Sequence, residues 1–279
     1  MPPGHETAVV DGVRLHYASA GSGPPVVLLH GFPESWRTWI PQLRALAEAG
    51  FRALALDLRG YNRSGAPGGV EAYRLPRLVA DVVGLLDRLG VEEAPVLGHD
   101  LGGGVAWRLA AARPDRVTRL GVLCAPHPSA LRRVLLDPGQ LRRSWYAAFF
   151  QLPRLPERLI RRNGYARLRR TLRRGPFDGR EIDRYVAALD RPGRLTAALN
   201  PYRALRRDAL GLLRDPGRVG VPAGVWWGGA DPWLGEGLLA GLEQWVPDCR
   251  IERLAGVGHW PHREVPGRVN EALLGFLRS

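Results

Sequence analysis

The segment Val96-Leu-Gly-His-Asp-Leu-Gly-Gly103 sets a carboxylate, Asp100, between two glycines where a strand-like run meets a helix-like one. Gly98 and Gly102 leave room for a tight, strained turn that lifts the central side chain above a sheet. The next N–H, that of Leu101, then points at a reacting oxygen. A carboxylate presented this way can act as a nucleophile. A serine attacking saturated carbon would leave an ether that the same site could not hydrolyse. A carboxylate leaves an ester, which activated water can cleave. On its own, an aspartate here serves equally well as a helix N-cap.

Its company favours the nucleophile. His30-Gly-Phe-Pro33 directly follows an apolar run, and Asp231 stands in Trp227-Gly-Gly-Ala-Asp-Pro232 after a late one. His259 stands in Gly256-Val-Gly-His-Trp-Pro261, after the last strand-like run. Nucleophile, acid and histidine in that chain order make a triad, with His259 oriented and charge-balanced by Asp231 so that it can activate water.

With these segments in register, the chain resembles the epoxide hydrolase and haloalkane dehalogenase branch of the α/β-hydrolase superfamily, and its epoxide hydrolases above all. The resemblance covers nearly the whole chain: His30-Gly-Phe-Pro-Glu-Ser-Trp36, Asp57-Leu-Arg-Gly-Tyr61, the Asp100 turn, a helical insertion, Asp231 and His259. It implies an oxyanion hole made by the backbone N–H groups of Phe32 and Leu101. It further implies that two insertion tyrosines donate hydrogen bonds to the epoxide oxygen. The matching positions are Tyr146, in Arg143-Ser-Trp-Tyr-Ala-Ala-Phe-Phe-Gln-Leu-Pro153, and Tyr202, in Leu199-Asn-Pro-Tyr-Arg203. The expected reactants are a small-molecule epoxide and water, with no cofactor and no metal. Leu101 is a departure, because many relatives carry tryptophan there. The N–H survives, but one wall of the pocket changes. Haloalkane dehalogenases usually hold halide with that tryptophan, and fluoroacetate dehalogenases usually place arginine there. Dehalogenation of a haloalkane or haloacid is therefore the lesser alternative.

Other histidines and a cysteine carry less. His99 reads as a packed core residue and His30 as a brace for the oxyanion loop. His262 is three residues beyond His259, but no acidic or cysteine partners suggest a metal. Cys124 reads as a small strand residue, and with Cys249 as the other cysteine nothing resembles a disulfide framework.

These groups need a scaffold, and the first third of the chain supplies its pattern. Strand-like runs at Val13–Ala18, Val26–Leu29, Arg52–Leu56, Ala94–Leu97 and Val117–Leu123 alternate with helical runs at Trp36–Ala49, Leu75–Leu89 and Gly102–Ala112. Alternation of this kind predicts an α/β fold, a mostly parallel sheet flanked by helices. From Pro126 to Pro216 the runs are helical, broken by prolines. Alternation resumes with strand Val221–Trp227, helix Gly237–Trp245, strand Arg250–Leu254 and a last helix to Leu277. The expected organisation is an α/β-hydrolase core over 1–126 and 217–279, interrupted by a helical cap over 127–216. The arginine-rich stretch Arg154–Arg174 keeps apolar spacing at Leu155, Leu159, Leu168 and Leu172, which predicts an ordered helix.

Charge follows the same division. All 40 basic residues are arginine, and the formal net charge is +13. Residues 127–216 hold 21 arginines against 8 acids, and the remainder is balanced. No nucleic-acid motif accompanies the excess, so it predicts solvated helix faces and not a nucleic-acid interface. No apolar run approaches a membrane span, and the first residues lack the basic and apolar regions of a signal peptide. A cytoplasmic protein is the expectation, with oligomeric state left open.

Overall fold

A computed structural model describes residues 2–279. Eight strands form one sheet in the order β1-β2-β4-β3-β5-β6-β7-β8. β1 (Gly4–Val10) and β2 (Val13–Ala20) make an antiparallel hairpin, and β2 also runs antiparallel to β4 (Arg52–Leu56). From β3 (Pro25–Leu29) and β4 through β5 (Ala94–His99), β6 (Val117–Leu123), β7 (Ala223–Gly228) and β8 (Cys249–Leu254), neighbours are parallel. The sheet is thus mostly parallel, as the alternation predicts.

β1 is a strand the alternation does not reveal. Most of its side chains are exposed at the sheet edge, so it has no apolar run to betray it. Its local signal is the Asp11-Gly12 turn, with φ of 47° and 73°, the left-handed pair that a two-residue hairpin needs.

Five helices pack on the sheet: α1 (Ile40–Glu48), α2 (Leu75–Arg88), α3 (Leu101–Ala112) and, after the insertion, α10 (Pro261–Glu264) and α11 (Pro266–Arg278). β3 explains the two layers. Val26 and Leu28 join a cluster with Leu43 of α1 and Leu273 of α11, whereas Val27 and Leu29 join α2 and α3 on the opposite face. All four side chains are fully buried, each contributing roughly 1.5–3 kcal/mol by transfer from water. Residues 237–245 are not the expected helix. They form two 3-10 turns, Glu236–Leu239 and Leu242–Gln244, on either side of Gly241 at φ 75°. Three glycines, at 235, 237 and 241, remove the helix propensity that the apolar spacing implied.

Between β6 and β7 the described residues contain helices and no strand: α4 (Leu131–Leu136), α5 (Pro138–Arg143), α6 (Trp145–Phe149), α7 (Leu155–Leu172), α8 (Gly179–Asp190) and α9 (Arg194–Arg214). α7 is interrupted. Arg162 through Tyr165 leave helical geometry, Asn163, Gly164 and Tyr165 having positive φ. The break rotates the two halves, so the expected apolar stripe does not form one buried face. Leu172 is buried, Leu159 and Leu168 are half-buried, and Leu155 is exposed. The insertion is pinned to the sheet by polar contacts. Tyr61 Oη donates to Ala198 O at 2.9 Å, and Arg74 pairs with Asp208 at 2.7 Å. No described helix is long and apolar enough to cross a membrane.

Candidate active site

Asp100 is the N-cap of α3, with φ 49° and ψ −120°, a region that a side chain other than glycine occupies only under constraint. Its neighbours impose that constraint. A Cβ on Gly98 would lie 2.5 Å from Gly102 O, and one on Gly102 would lie 2.2 Å from Leu29 O. A Cβ on Gly31 would lie 2.5 Å from the Asp100 Cβ. Only glycines at these three positions let β5, α3 and the His30–Pro33 loop close around one carboxylate.

The other predicted residues converge on it. His259 Nε2 is 3.3 Å from Asp100 Oδ2, and His259 Nδ1 is 2.6 Å from Asp231 Oδ2. Asp231 accepts through its other oxygen from the N–H groups of Trp233 at 2.8 Å and Leu234 at 3.0 Å. Tyr202 Oη donates to Asp100 Oδ1 at 3.3 Å, and the Leu101 N–H donates to the same oxygen. Tyr146 lines the same cavity, its ring 6.2 Å from that of Tyr202 at an interplanar angle of 78°. Phe32 packs its ring on Phe150 and Tyr202. Phe32 lines the same cavity as Asp100. Leu101 is half-buried and packs against the core, and it is not among the residues that line the cavity, so the expected change of a pocket wall at this position is not seen.

Burial and charge oppose each other here. Burial alone would raise the pKa of Asp100, but its hydrogen bond to His259 and that ring's charge hold it below the ordinary value. Asp231 behaves alike: burial pushes it up, while His259 and the two N–H donors bring it down. Burial alone would lower His259, yet Asp231 and Asp100 more than reverse this and raise it to about 10. The resting arrangement is therefore a protonated imidazole between two carboxylates. Burial, reinforced by the charge of Asp100, raises both Tyr146 and Tyr202, which keeps both as neutral phenols.

A cavity of about 490 Å³ opens onto these groups, within the size range of small-molecule sites. Aromatic rings dominate its walls, Phe149, Trp145, Trp233 and Trp260 among them. The insertion also grips the loop that carries the acid. Arg143 Nη1 donates to Asp231 O at 2.8 Å, and Gln140 donates to Trp233 O and accepts from the Gly235 N–H.

His30 does brace its loop. Its Nε2 accepts from the Leu58 N–H at 3.1 Å, which leaves Nδ1 to donate to Gly31 O at 2.8 Å. His99 is fully buried and touches His259 O through Nε2 at 2.8 Å. Cys124 is buried just beyond β6 and accepts from the Gly228 N–H. The expectation for His262 needs correction, because the fold does give it an acidic partner. Glu34, His99 and His262 have ligand-type atoms within 4.8 Å of one another, and Glu34 Oε2 and both Nδ1 atoms lack hydrogen-bond partners. Burial would raise Glu34, but the two rings hold its pKa at about 2. This cluster backs the loop that carries His259, since Glu34 Oε1 accepts from Trp260 Nε1. Spacing could not reveal it, because 228 positions separate Glu34 from His262 in the chain.

A mostly parallel sheet, an aspartate on the turn after β5, an acid after β7 and a histidine after β8 define an α/β hydrolase, and the chain belongs to that family. Residues 24–265 match the family model for the alpha/beta hydrolase fold. Among curated relatives, the AB hydrolase superfamily protein YfhM of Bacillus subtilis is 40% identical over 276 residues, covering 96% of both chains. Epoxide hydrolase 4 of Mus musculus is 35% identical over 281 residues, covering 96% of this chain and 77% of its own. Among solved structures, a variant of an epoxide hydrolase from Bacillus megaterium superposes with a TM-score of 0.90 at 30% identity, covering 98% of this chain and all of that one. Within the superfamily, this chain sits on the epoxide hydrolase side.

Proposed function

We propose that this protein is an epoxide hydrolase that opens an epoxide to a vicinal diol through an Asp100 alkyl-enzyme ester, with residues 127–216 acting as its cap. The observation that carries the reading is the pairing of a nucleophilic carboxylate with two neutral phenols in one cavity: Tyr202 Oη is 3.3 Å from Asp100 Oδ1, and Tyr146 lines the same wall.

The two half-reactions balance on these groups. Asp100 Oδ2 forms a bond to an epoxide carbon as that C–O bond breaks. One phenol gives its proton to the leaving oxygen and becomes a phenolate. Alkylation removes the charge of Asp100 and with it part of what holds the proton on His259. His259 then yields its proton to the phenolate, restoring the phenol and becoming a neutral base. It takes a proton from water as hydroxide attacks the ester carbonyl, and the oxyanion forms at the oxygen facing the Leu101 and Phe32 N–H groups. Collapse expels the diol and returns the carboxylate and the imidazolium. The base is thus switched on by the step that creates its substrate.

A single turnover in oxygen-18 water tests this. The first diol should be unlabelled, because its new oxygen comes from Asp100, and the label should enter the protein. Full label in the first diol would mean direct attack by water and would overturn the covalent route. Diol formation across styrene-type, aliphatic and disubstituted epoxides, with halide release from haloalkanes run beside it, tests the reaction class.

A further inference from the structure

The cavity that holds Asp100 has two ends of opposite character. Around the reacting groups its walls are aromatic and aliphatic. Arg167 and Arg170, on the second half of α7, and Arg174, in the turn just past its end at Leu172, also line it. The spacing of three puts Arg167 and Arg170 on one helical face, with Thr171 of the same wall beside them, and the turn after the helix carries Arg174 onto that wall. All three arginines are exposed, and none forms an ion pair among the described residues. Elsewhere the insertion does pair such charges, as Arg169 with Asp183 and Arg203 with Glu157. Favourable charge at a helix C-terminus would account for an arginine near position 174, but not for three lining the cavity. Asp100 is the one acid lining that cavity among the described residues, and His259 already balances it.

We propose that the preferred substrate is an epoxide on an apolar body whose far end carries a carboxylate or phosphate, held by Arg167, Arg170 and Arg174 at the cavity mouth. The inference rests on the epoxide hydrolase reading. Guanidinium forks match the paired oxygens of either anion. A cleft lined by one sign of charge, with low-dielectric walls behind it, concentrates an oppositely charged ligand. The aromatic chamber then receives the apolar body and places the ring at Asp100. A single exposed arginine would do little against solvent screening. A row of three on one wall gives the anion several partners over a range of reach.

The test compares phenyl glycidyl ethers whose para position carries, through spacers of increasing length, a carboxylate, a phosphate monoester, the neutral methyl ester or a trimethylammonium group. At low ionic strength, kcat/KM for the better anion should exceed that for the methyl ester by about tenfold or more, with the cation poorest. At about 0.5 M salt the advantage should fall to within about twofold. The carboxylate and phosphate arms show which anion is favoured. In the protein carrying Arg167→Gln, Arg170→Gln and Arg174→Gln, the anion-to-ester ratio should collapse toward one, and ester turnover reports that this variant is folded. Ester hydrolysed as well as every anion, or an anion preference that the triple substitution leaves intact, overturns this inference and leaves the epoxide hydrolase reading standing. Diol from none of the four overturns both.

Discussion

Asp100, Asp231 and His259 stand at strand ends, where backbone fixes them. Asp100 is trapped by three glycine contacts, Asp231 is tied by two backbone N–H groups, and His259 O is held by buried His99. Tyr146 and Tyr202 are carried differently. They sit on α6 and α9 of the insertion, which is joined to the sheet domain by side-chain hydrogen bonds such as Tyr61 to Ala198 and Arg143 to Asp231. The sheet side thus holds the groups that the proposed mechanism uses in both of its chemical steps. The insertion holds the two phenols proposed as proton donors, part of the aromatic wall (Trp145, Phe149 and Phe150) and the three arginines, while Trp233 and Trp260 come from the sheet side. On the proposed reading, the sheet side supplies the nucleophile and base, and the insertion supplies the proton donors and much of the substrate's surroundings.

The largest effect that could break this division is on His259. If the triad's histidine serves water activation and not ring opening, His259→Gln should lose turnover by on the order of 10⁴-fold yet still be alkylated. Intact-mass measurement after mixing with epoxide should show the protein plus one substrate. A folded, substrate-binding variant that acquires no such mass would place His259 in the first step instead.

Next comes the sheet region's own integrity. Arg59 and Asp81 form a bidentate pair, at 2.6 and 2.5 Å, with side chains only 4% and 2% exposed. Asp81→Ala would leave the guanidinium buried and uncompensated, which costs about 3–5 kcal/mol. Denaturant unfolding should show that loss. The equivalent pair in the insertion, Arg203 with Glu157, is more exposed, at 12% and 9%, so Glu157→Ala should cost less. Equal costs would mean the two regions are not differently anchored.

Tyr146→Phe and Tyr202→Phe probe the insertion's chemistry. A hydrogen bond to a developing charge is worth roughly 1.5–3 kcal/mol. Each substitution should therefore slow alkylation about ten- to a hundred-fold, with the double variant nearly inactive. Rapid-quench measurement of ester formation separates this from hydrolysis. Wild-type alkylation in both single variants would remove the tyrosines from the reaction while leaving the triad untouched.

The same contrast explains what could be read from the chain alone. The Asp100 turn, the oxyanion loop and the places of Asp231 and His259 are legible because each is a short segment whose glycines and flanking apolar runs state its geometry. The triad's chain order makes up for the 159 positions between Asp100 and His259. What stays hidden depends on contacts distant in sequence or on helix direction. Glu34 and His262 meet only in the folded chain. The row of Arg167, Arg170 and Arg174 is submerged among 21 arginines in residues 127–216, and which of them face the cavity is decided by the break at Arg162–Tyr165. The exposed edge strand β1 and the glycine-broken turns after β7 show the same limit: apolar patterning reports burial, and where burial or propensity fails, it misreads.

A smaller effect should appear in stability. The folded-state pKa of His259 is raised to about 10, against about 6.5 in an unfolded chain. A raised pKa means the charged ring stabilises the fold fully below the unfolded value, and the contribution fades as pH climbs from there through about 10. The Tm advantage of wild type over His259→Gln should therefore be greatest near pH 6 and shrink steadily toward pH 10. An advantage that grows with pH would mean the ring rests neutral, and the switch described for the second half-reaction would have no basis.

The smallest expected effect is of salt on a neutral epoxide, and it bears most directly on what the insertion's charge is for. The excess of +13 lies wholly in residues 127–216, so any long-range pull of net charge on a substrate must come from that region. For an uncharged substrate there is no long-range force for counter-ions to screen, and the aromatic walls that receive it are insensitive to ionic strength. The buried triad is also screened far less than surface charge. Between about 20 mM and about 300 mM salt, a span over which the screening length falls from roughly 20 Å to under 10 Å, kcat/KM for a neutral epoxide should change by less than about twofold. A steep fall with a neutral substrate would mean that screening reaches the triad itself, and that the sheet's chemistry and the insertion's charge are not separable. A flat profile, set beside a steep one for an anionic epoxide, would locate the salt dependence in recognition alone.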